Sequence, residues 1–193
     1  MNQYLVKLAW GWTCCLVLLH HLQETRGPGQ PSLLTKVARL GAGSLVWYLG
    51  ARLAFPWLEE RTGVCPSSSL LTRRTCFKAG FQWTGFDISG HCFLLTFNNL
   101  FILEEVQEEK MKEKEDQEGT GDRSGGQEVP LSWSRLILCV LMVAWDVMVV
   151  CTCLYFHTTL EKMVGMACGL LAWHLLFRMI YPLFGRLGRQ TIP

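Results

Sequence analysis

Charge is scarce in this chain: Asp, Glu, Lys and Arg make up 18% of its 193 residues, while half of all residues are hydrophobic. Soluble domains carry about 25% charged residues, so the composition excludes an ordinary water-soluble globule and points to a membrane protein. There is no Walker phosphate loop, no dinucleotide-binding glycine fingerprint and no internal repeat. A basic stripe interleaved with aromatics is also missing, and a formal charge of +2 is too small to hold nucleic acid. The polar segments are too short to fold a soluble enzyme domain. Any active site must therefore lie within or at the edge of a helix bundle.

What the chain does have is apolar runs over 4–22, 33–58, 86–103, 136–157 and 163–184. Each is near the ~20 residues that cross a ~30 Å hydrocarbon core. They predict an all-α, polytopic transmembrane helix bundle of about five spans, one domain over 1–193. The first run lacks a small-x-small cleavage site, so it is read as a retained span and not as a secretory signal. Five crossings would leave the termini on opposite sides. Arg26, Lys36, Arg39, Lys110, Lys112, Lys114, Arg123, Arg135, Arg178, Arg186 and Arg189 gather on one side, against Arg61, Arg73, Arg74, Lys78 and Lys162 on the other. The first side is therefore expected to be cytosolic and the 59–85 loop lumenal.

Residues 104–127 begin as a charged helix extension with Glu/Lys pairs and pass into Gly-rich sequence. This predicts a flexible acidic cytosolic linker over 104–134. The alternating acidic ligands and terminal Glu of a calcium loop are absent from it. Seven of the cysteines lie in apolar runs, where they pack as small hydrophobes, and only Cys65 and Cys76 share a polar loop. A disulfide there fits an oxidising compartment; two free or palmitoylated thiols fit the same sequence. No histidine neighbours them, so a zinc site is not expected.

The chemistry-bearing stretch is Gly85-Phe86-Asp87-Ile88-Ser89-Gly90-His91, at the mouth of the third run. Asp87 or Ser89 is a suitable N-cap, and the backbone amides behind it would attract an anion such as phosphate. By connectivity His157, at the end of the fourth run, reaches the same side. Glu161 follows it by four residues, so a continued helical turn would bring carboxylate and imidazole together and support a nucleophilic imidazole. On the residues alone, interfacial side chains wetted by headgroups are the commoner reading of His157 and Glu161. Asp146 stands about three turns before His157 and cannot orient it; an interior pairing or protonation is expected there. Asn98, His174 and Arg178 are read as bundle-interior hydrogen-bond formers, and His20 and His21 as boundary residues away from the site.

The combination of Val6-Lys7-Leu8-Ala9-Trp10-Gly11-Trp12-Thr13, the Gly85 to His91 motif, Phe93-Leu94-Leu95-Thr96-Phe97, Glu104-Glu105 and Tyr155-Phe156-His157 resembles the fat storage-inducing transmembrane (FIT) proteins of the endoplasmic reticulum. The resemblance covers nearly the whole chain. It implies a multi-pass endoplasmic-reticulum membrane protein of lipid-droplet formation that binds triacylglycerol and diacylglycerol among membrane lipids. It also implies a distant likeness to lipid phosphate phosphatases, and cleavage of fatty acyl-CoA to acyl 4′-phosphopantetheine and adenosine 3′,5′-bisphosphate, with no cofactor and no metal. On that analogy Ser89-Gly90-His91 matches the phosphatase Ser-Gly-His motif and His157 the nucleophile, with His91 protonating the leaving oxygen. Glu161 is the candidate orienting acid.

The chain departs from the phosphatase pattern in two places. The Lys-x6-Arg-Pro motif is missing, and Val150-Cys151 stands where Ser-Arg is expected. The cations that grip phosphate are thus unassigned; Arg73, Arg74 and Lys78 are the sequence's candidates, with Ser89 as a further donor. The family's six-span pattern also lacks its first span here, as in a shortened variant or an incomplete N-terminus. Two readings follow: an acyl-CoA diphosphatase, or a non-enzymatic protein that partitions neutral glycerolipid.

Overall fold

The computed structural model describes residues 8–24, 33–66, 72–119, 132–155 and 158–182, with side chains at 109, 110 and 112–119 left undescribed. Helices are α1 (Ala9–Glu24), α2 (Leu33–Trp47), α3 (Phe55–Thr62), α4 (Arg73–Lys78), α5 (Gly90–Gly119), α6 (Trp133–Tyr155) and α7 (Thr159–His174). A π-helical stretch, Tyr48–Ala54, joins α2 to α3 without leaving helical backbone, and a second, Leu175–Ile180, continues α7. Pro56 stands in the first turn of α3; it brings no N–H to the ladder, which suits the widened turn before it. No strand occurs among the described residues beyond one antiparallel bridge, Val64 to Thr84.

Five helical rods thus lie where five spans are expected. Two of them, Trp133–Tyr155 and Thr159–Ile180, are long and apolar enough to cross a membrane by length and composition. On α6 the apolar residues Val140, Val143, Val147, Val150 and Leu154 recur at three- and four-residue spacing and are all more than half exposed. Such a stripe would be an aggregation surface in water and is ordinary against lipid.

The hub is α5. Cys92, Phe93, Leu94, Leu95, Phe97, Asn98, Phe101, Ile102, Glu105 and Val106 are all buried, a helix covered on every side, as expected of a core helix. Its neighbours are α1, the π-stretch after α2, α6 and α7. Direction follows from paired positions. Arg39 meets Glu108 while Gly43 lies against Phe101, and Asn99 meets Asp146 while Cys92 meets Cys153, so α2 and α6 run against α5. On α7, Gly165 lies against Ser89 and Gly169 against Phe93, so α5 and α7 run parallel. An aromatic column of Phe55, Phe93, Phe97, Phe101, Phe177 and Tyr181, with centroids 4.9 to 6.2 Å apart, fills the seam.

The end of the bundle distant from His91 carries a polar layer, buried at His21 and Glu105 and open to the outside at Arg178. His21 Nε2 lies 3.2 Å from Glu105, which faces Arg39 at 3.7 Å; Arg39 also holds Glu108, and Arg178 holds Glu104 at 3.3 Å. His20 Nδ1 pairs with the Ser134 hydroxyl at 2.8 Å. His20 and His21 are thus away from the motif, as read from sequence, and they are buried.

Several sequence expectations need correction. Residues 86–89 are not helical, because Ser89 caps the helix and α5 starts at Gly90. The charged helix extension read from 104 runs as far as Gly119, and α6 begins at Trp133; the Gly-rich remainder of the expected linker lies outside the described residues. His174 and Arg178 are exposed and not interior. Asp146 has the polar partner expected of it, accepting from Asn99 Nδ2 at 2.6 Å, although it is exposed and not interior; the neighbouring Asn98 amide, expected to form hydrogen bonds, is fully buried with no partner among the described residues.

Cys65 and Cys76 form a disulfide with Cα atoms 6.0 Å apart, tying α4 to the chain after α3. Beside it Val64 and Thr84 exchange two backbone hydrogen bonds of 2.9 and 3.1 Å. Replacing Cys76 by Ser is expected to cost about 2–3 kcal/mol of local stability. Limited proteolysis should then cut within the loop while the helical circular dichroism of the bundle persists.

Candidate active site

Ser89 is fully buried, and its Oγ accepts from the Cys92 amide at 3.3 Å while its carbonyl accepts from Phe93 at 3.0 Å. This is an N-cap bond to the third residue of the helix. It fixes where α5 starts and so places half-buried His91 in the first turn. Because Ser89 is committed to capping, it stands behind the helix mouth and not in the open cleft.

The chain returns to this mouth at the start of α7. Thr158 is extended, with φ −73° and ψ 157°, and forms a capping box with Glu161: the Glu161 amide donates to Thr158 Oγ1 at 3.4 Å, and the Thr158 amide donates to Glu161 Oε2 at 2.8 Å. The expected continuous turn from His157 to Glu161 is therefore not formed. Threonine and glutamate at this spacing start a new helix, so Glu161 belongs to a different helix from the one before it. His157 itself lies outside the described residues, which resume at Thr158.

Glu161 also joins the two helix starts. Its Oε1 accepts from the Asp87 amide at 3.3 Å, and its carbonyl accepts from the Ser89 amide at 3.3 Å. Below this clamp a Cβ on Gly165 would stand 2.6 Å from the Ser89 carbonyl oxygen, and one on Gly169 2.8 Å from that of Phe93. Backbone-to-backbone approach of this kind needs small residues at four-residue spacing. Parallel docking sets the N-termini of α5 and α7 side by side. Two positive helix ends facing one mouth would repel, and an anion between them would relieve it.

Of the cations read from sequence, Arg73 donates to Glu59 Oε2 at 2.7 Å and lies over the Phe77 ring, 5.7 Å from its centroid. Arg74 and Lys78 are exposed on α4. Lys162 did not stand out in the sequence, where it counted only toward orientation. In the structure it sits in the first turn of α7, its ammonium donating to the Cys153 carbonyl at 2.6 Å. The signal was available: a cation five residues after the candidate nucleophile. No group of three or more metal-ligating side chains occurs among the described residues.

A model of the fat storage-inducing transmembrane proteins matches residues 54–177, which includes the whole of this mouth. The chain belongs to the fat storage-inducing transmembrane family. Similar proteins include acyl-coenzyme A diphosphatase FITM2 of Danio rerio, 32% identical over 190 residues with 94% of this chain and 71% of the relative covered. The FITM2 of Homo sapiens is 34% identical over 196 residues, covering 94% and 70%, and that of Mus musculus 36% over 184 residues, covering 90% and 67%. No solved structure matches. With the family, the lipid-facing stripe of α6 has its reason: this FIT-family chain is an all-α membrane protein.

Replacing Glu161 tests the clamp. Glu161→Ala is expected to lose about 0.5–2 kcal/mol with the capping box and to lower turnover, read from the melting temperature and kcat. Glu161→Gln keeps an acceptor for the box and should recover most of the stability. If the carboxylate also orients His157, Gln will remain as slow as Ala.

Proposed function

We propose that this chain is a multi-pass protein of the endoplasmic-reticulum membrane that cleaves the diphosphate of fatty acyl-CoA at the mouth where α5 and α7 begin. That mouth faces the lumen, and the products are acyl 4′-phosphopantetheine and adenosine 3′,5′-bisphosphate. The observation that carries this reading is the pair of adjacent helix N-termini, with His91 in the first turn of α5 and the chain returning at Thr158, one residue past His157. The activity in the names of the FITM2 relatives supports it.

In this mechanism neutral His157 attacks one phosphorus of the diphosphate, forming an N–P bond as the bridging P–O bond breaks. His91 gives its proton to the leaving phosphate oxygen. The neutral His91 then takes a proton from water as that water attacks the phosphohistidine, freeing His157 and restoring the imidazolium. The two helix ends hold negative charge as it shifts between oxygens. The acyl chain lies against the apolar bundle while the nucleotide stays outside, and turnover of acyl-CoA at this surface would keep membrane composition compatible with lipid-droplet budding. Arg74 and Lys78 remain available to the nucleotide phosphates from α4.

A second reading is a non-enzymatic protein that binds and partitions triacylglycerol and diacylglycerol; the engagement of Arg73 by Glu59 favours it. The test is purified protein in nanodiscs with a long-chain acyl-CoA, products identified by mass spectrometry and triacylglycerol binding measured in parallel. Acyl 4′-phosphopantetheine and adenosine 3′,5′-bisphosphate in equal amounts support the enzyme. Intact triacylglycerol binding without either product overturns it in favour of partitioning.

A further inference from the structure

The diphosphatase reading leaves open which cation holds the substrate's phosphates. We propose that Lys162 is that residue, gripping the diphosphate from the first turn of α7 between the C-terminus of α6 and the N-terminus of α5. The proposal rests on the diphosphatase reading for its substrate, although its geometry stands independently.

Three observations converge on Lys162. First, its ammonium is anchored: donation to the Cys153 carbonyl at 2.6 Å uses one of its N–H bonds and fixes the charge near the negative end of α6. The other N–H bonds remain for a ligand, and the residue is half-buried, so the charge is only partly screened by solvent. Second, it lies at the motif helix. It is close enough to Cys92, the residue after His91, to interact with it electrostatically. One turn further along α7, a Cβ on Gly165 would meet the Cys92 Cβ at 3.2 Å. Third, the carboxylate of its chain neighbour is directed to backbone, Glu161 placing one oxygen on the Asp87 amide and the other on the Thr158 amide. The ammonium and two positive helix ends together outweigh the single Glu161 carboxylate held between the helix starts, and the remaining positive charge suits an anionic ligand. A diphosphate supplies one, and Lys serves phosphate as a point charge.

A purely structural role for Lys162 would be capping of α6 through Cys153, and the choice of variants separates the two. Lys162→Gln keeps an amide donor for that carbonyl and loses the charge; Lys162→Arg keeps the charge. Pyrophosphate affinity is measured by calorimetry on purified wild type and both variants, alongside KM and kcat for a long-chain acyl-CoA. The expected result is a loss of about tenfold or more in pyrophosphate affinity and a matching rise in KM for Gln, with Arg near wild type. Gln within twofold of wild type, or a wild type that does not bind pyrophosphate, overturns the assignment. Should wild type bind pyrophosphate through Lys162 and yet cleave no acyl-CoA, the cation assignment stands and the diphosphatase reading falls.

Discussion

Replacing His91 by alanine is expected to lower kcat for acyl-CoA cleavage by about 10²–10⁴-fold, the range that a positioned acid contributes. KM should change little, because the helix ends and Lys162 that hold the phosphates remain. The imidazole leaves from the first turn of α5, behind which Ser89 still caps the helix and Phe93 still packs. The melting temperature should therefore stay near wild type. His157→Ala should be as inactive, with no phosphoenzyme trapped on rapid acid quench, whereas His91→Ala should allow a trapped phosphohistidine when the leaving group is a good one such as p-nitrophenol. Turnover within tenfold of wild type in both variants would remove the histidine pair from the mechanism.

The second large effect comes from a position with no chemistry of its own. Gly165→Val puts a branched side chain where even a Cβ meets the Ser89 carbonyl oxygen at 2.6 Å and the Cys92 Cβ at 3.2 Å. One of those atoms is backbone and cannot swing aside, so α7 must move off α5. Overpacking of this kind costs about 1–3 kcal/mol, and here it also pulls the Glu161 carbonyl from the Ser89 amide and opens the mouth. The expected outcome is a lower melting temperature together with near-complete loss of turnover. Gly11→Ala, where nothing lies within 4 Å of an added Cβ, is the control and should melt at or slightly above wild type. Activity retained in Gly165→Val would mean that the approach of α5 and α7 does not set the site.

Local signals in the sequence carried through to the structure, and those that depend on helix register did not. The apolar runs gave the rods, and Ser89 before Gly90 and His91 read correctly as a cap because capping chemistry is decided within four residues. The break at Thr158 was equally local: Thr158-x-x-Glu161 is a capping-box pattern, but the expectation of one continuous turn passed over it. The small residues Gly165 and Gly169 carry a spacing that can be read from sequence, although their partner, the backbone of Ser89 and Phe93, cannot. The same holds for Asp146, whose neighbour proved to be Asn99, and for His21, Glu105 and Arg39, which come from three different rods. Those pairings arise only when helices meet in a particular register, and one sequence does not encode that register in any short pattern. Lys162 carries a local hint, five residues after His157, but its partners, the Cys153 carbonyl and Cys92, depend on register.

The hub helix has a further consequence for depth in the surrounding bilayer. Between His91 and Glu104 its apolar stretch is 92–103, about 18 Å at 1.5 Å per residue, against a hydrocarbon thickness of about 30 Å. Its outer companion α6 is long and apolar enough to cross a membrane. The two polar layers in the centre of this protein thus stand closer together than the two headgroup planes of the surrounding membrane. Mismatch acts through the helices that meet lipid, and α6 has the length of a full span, so the shortfall on α5 is taken up inside the protein and would set the motif mouth and the Glu105 layer deeper than the headgroup planes.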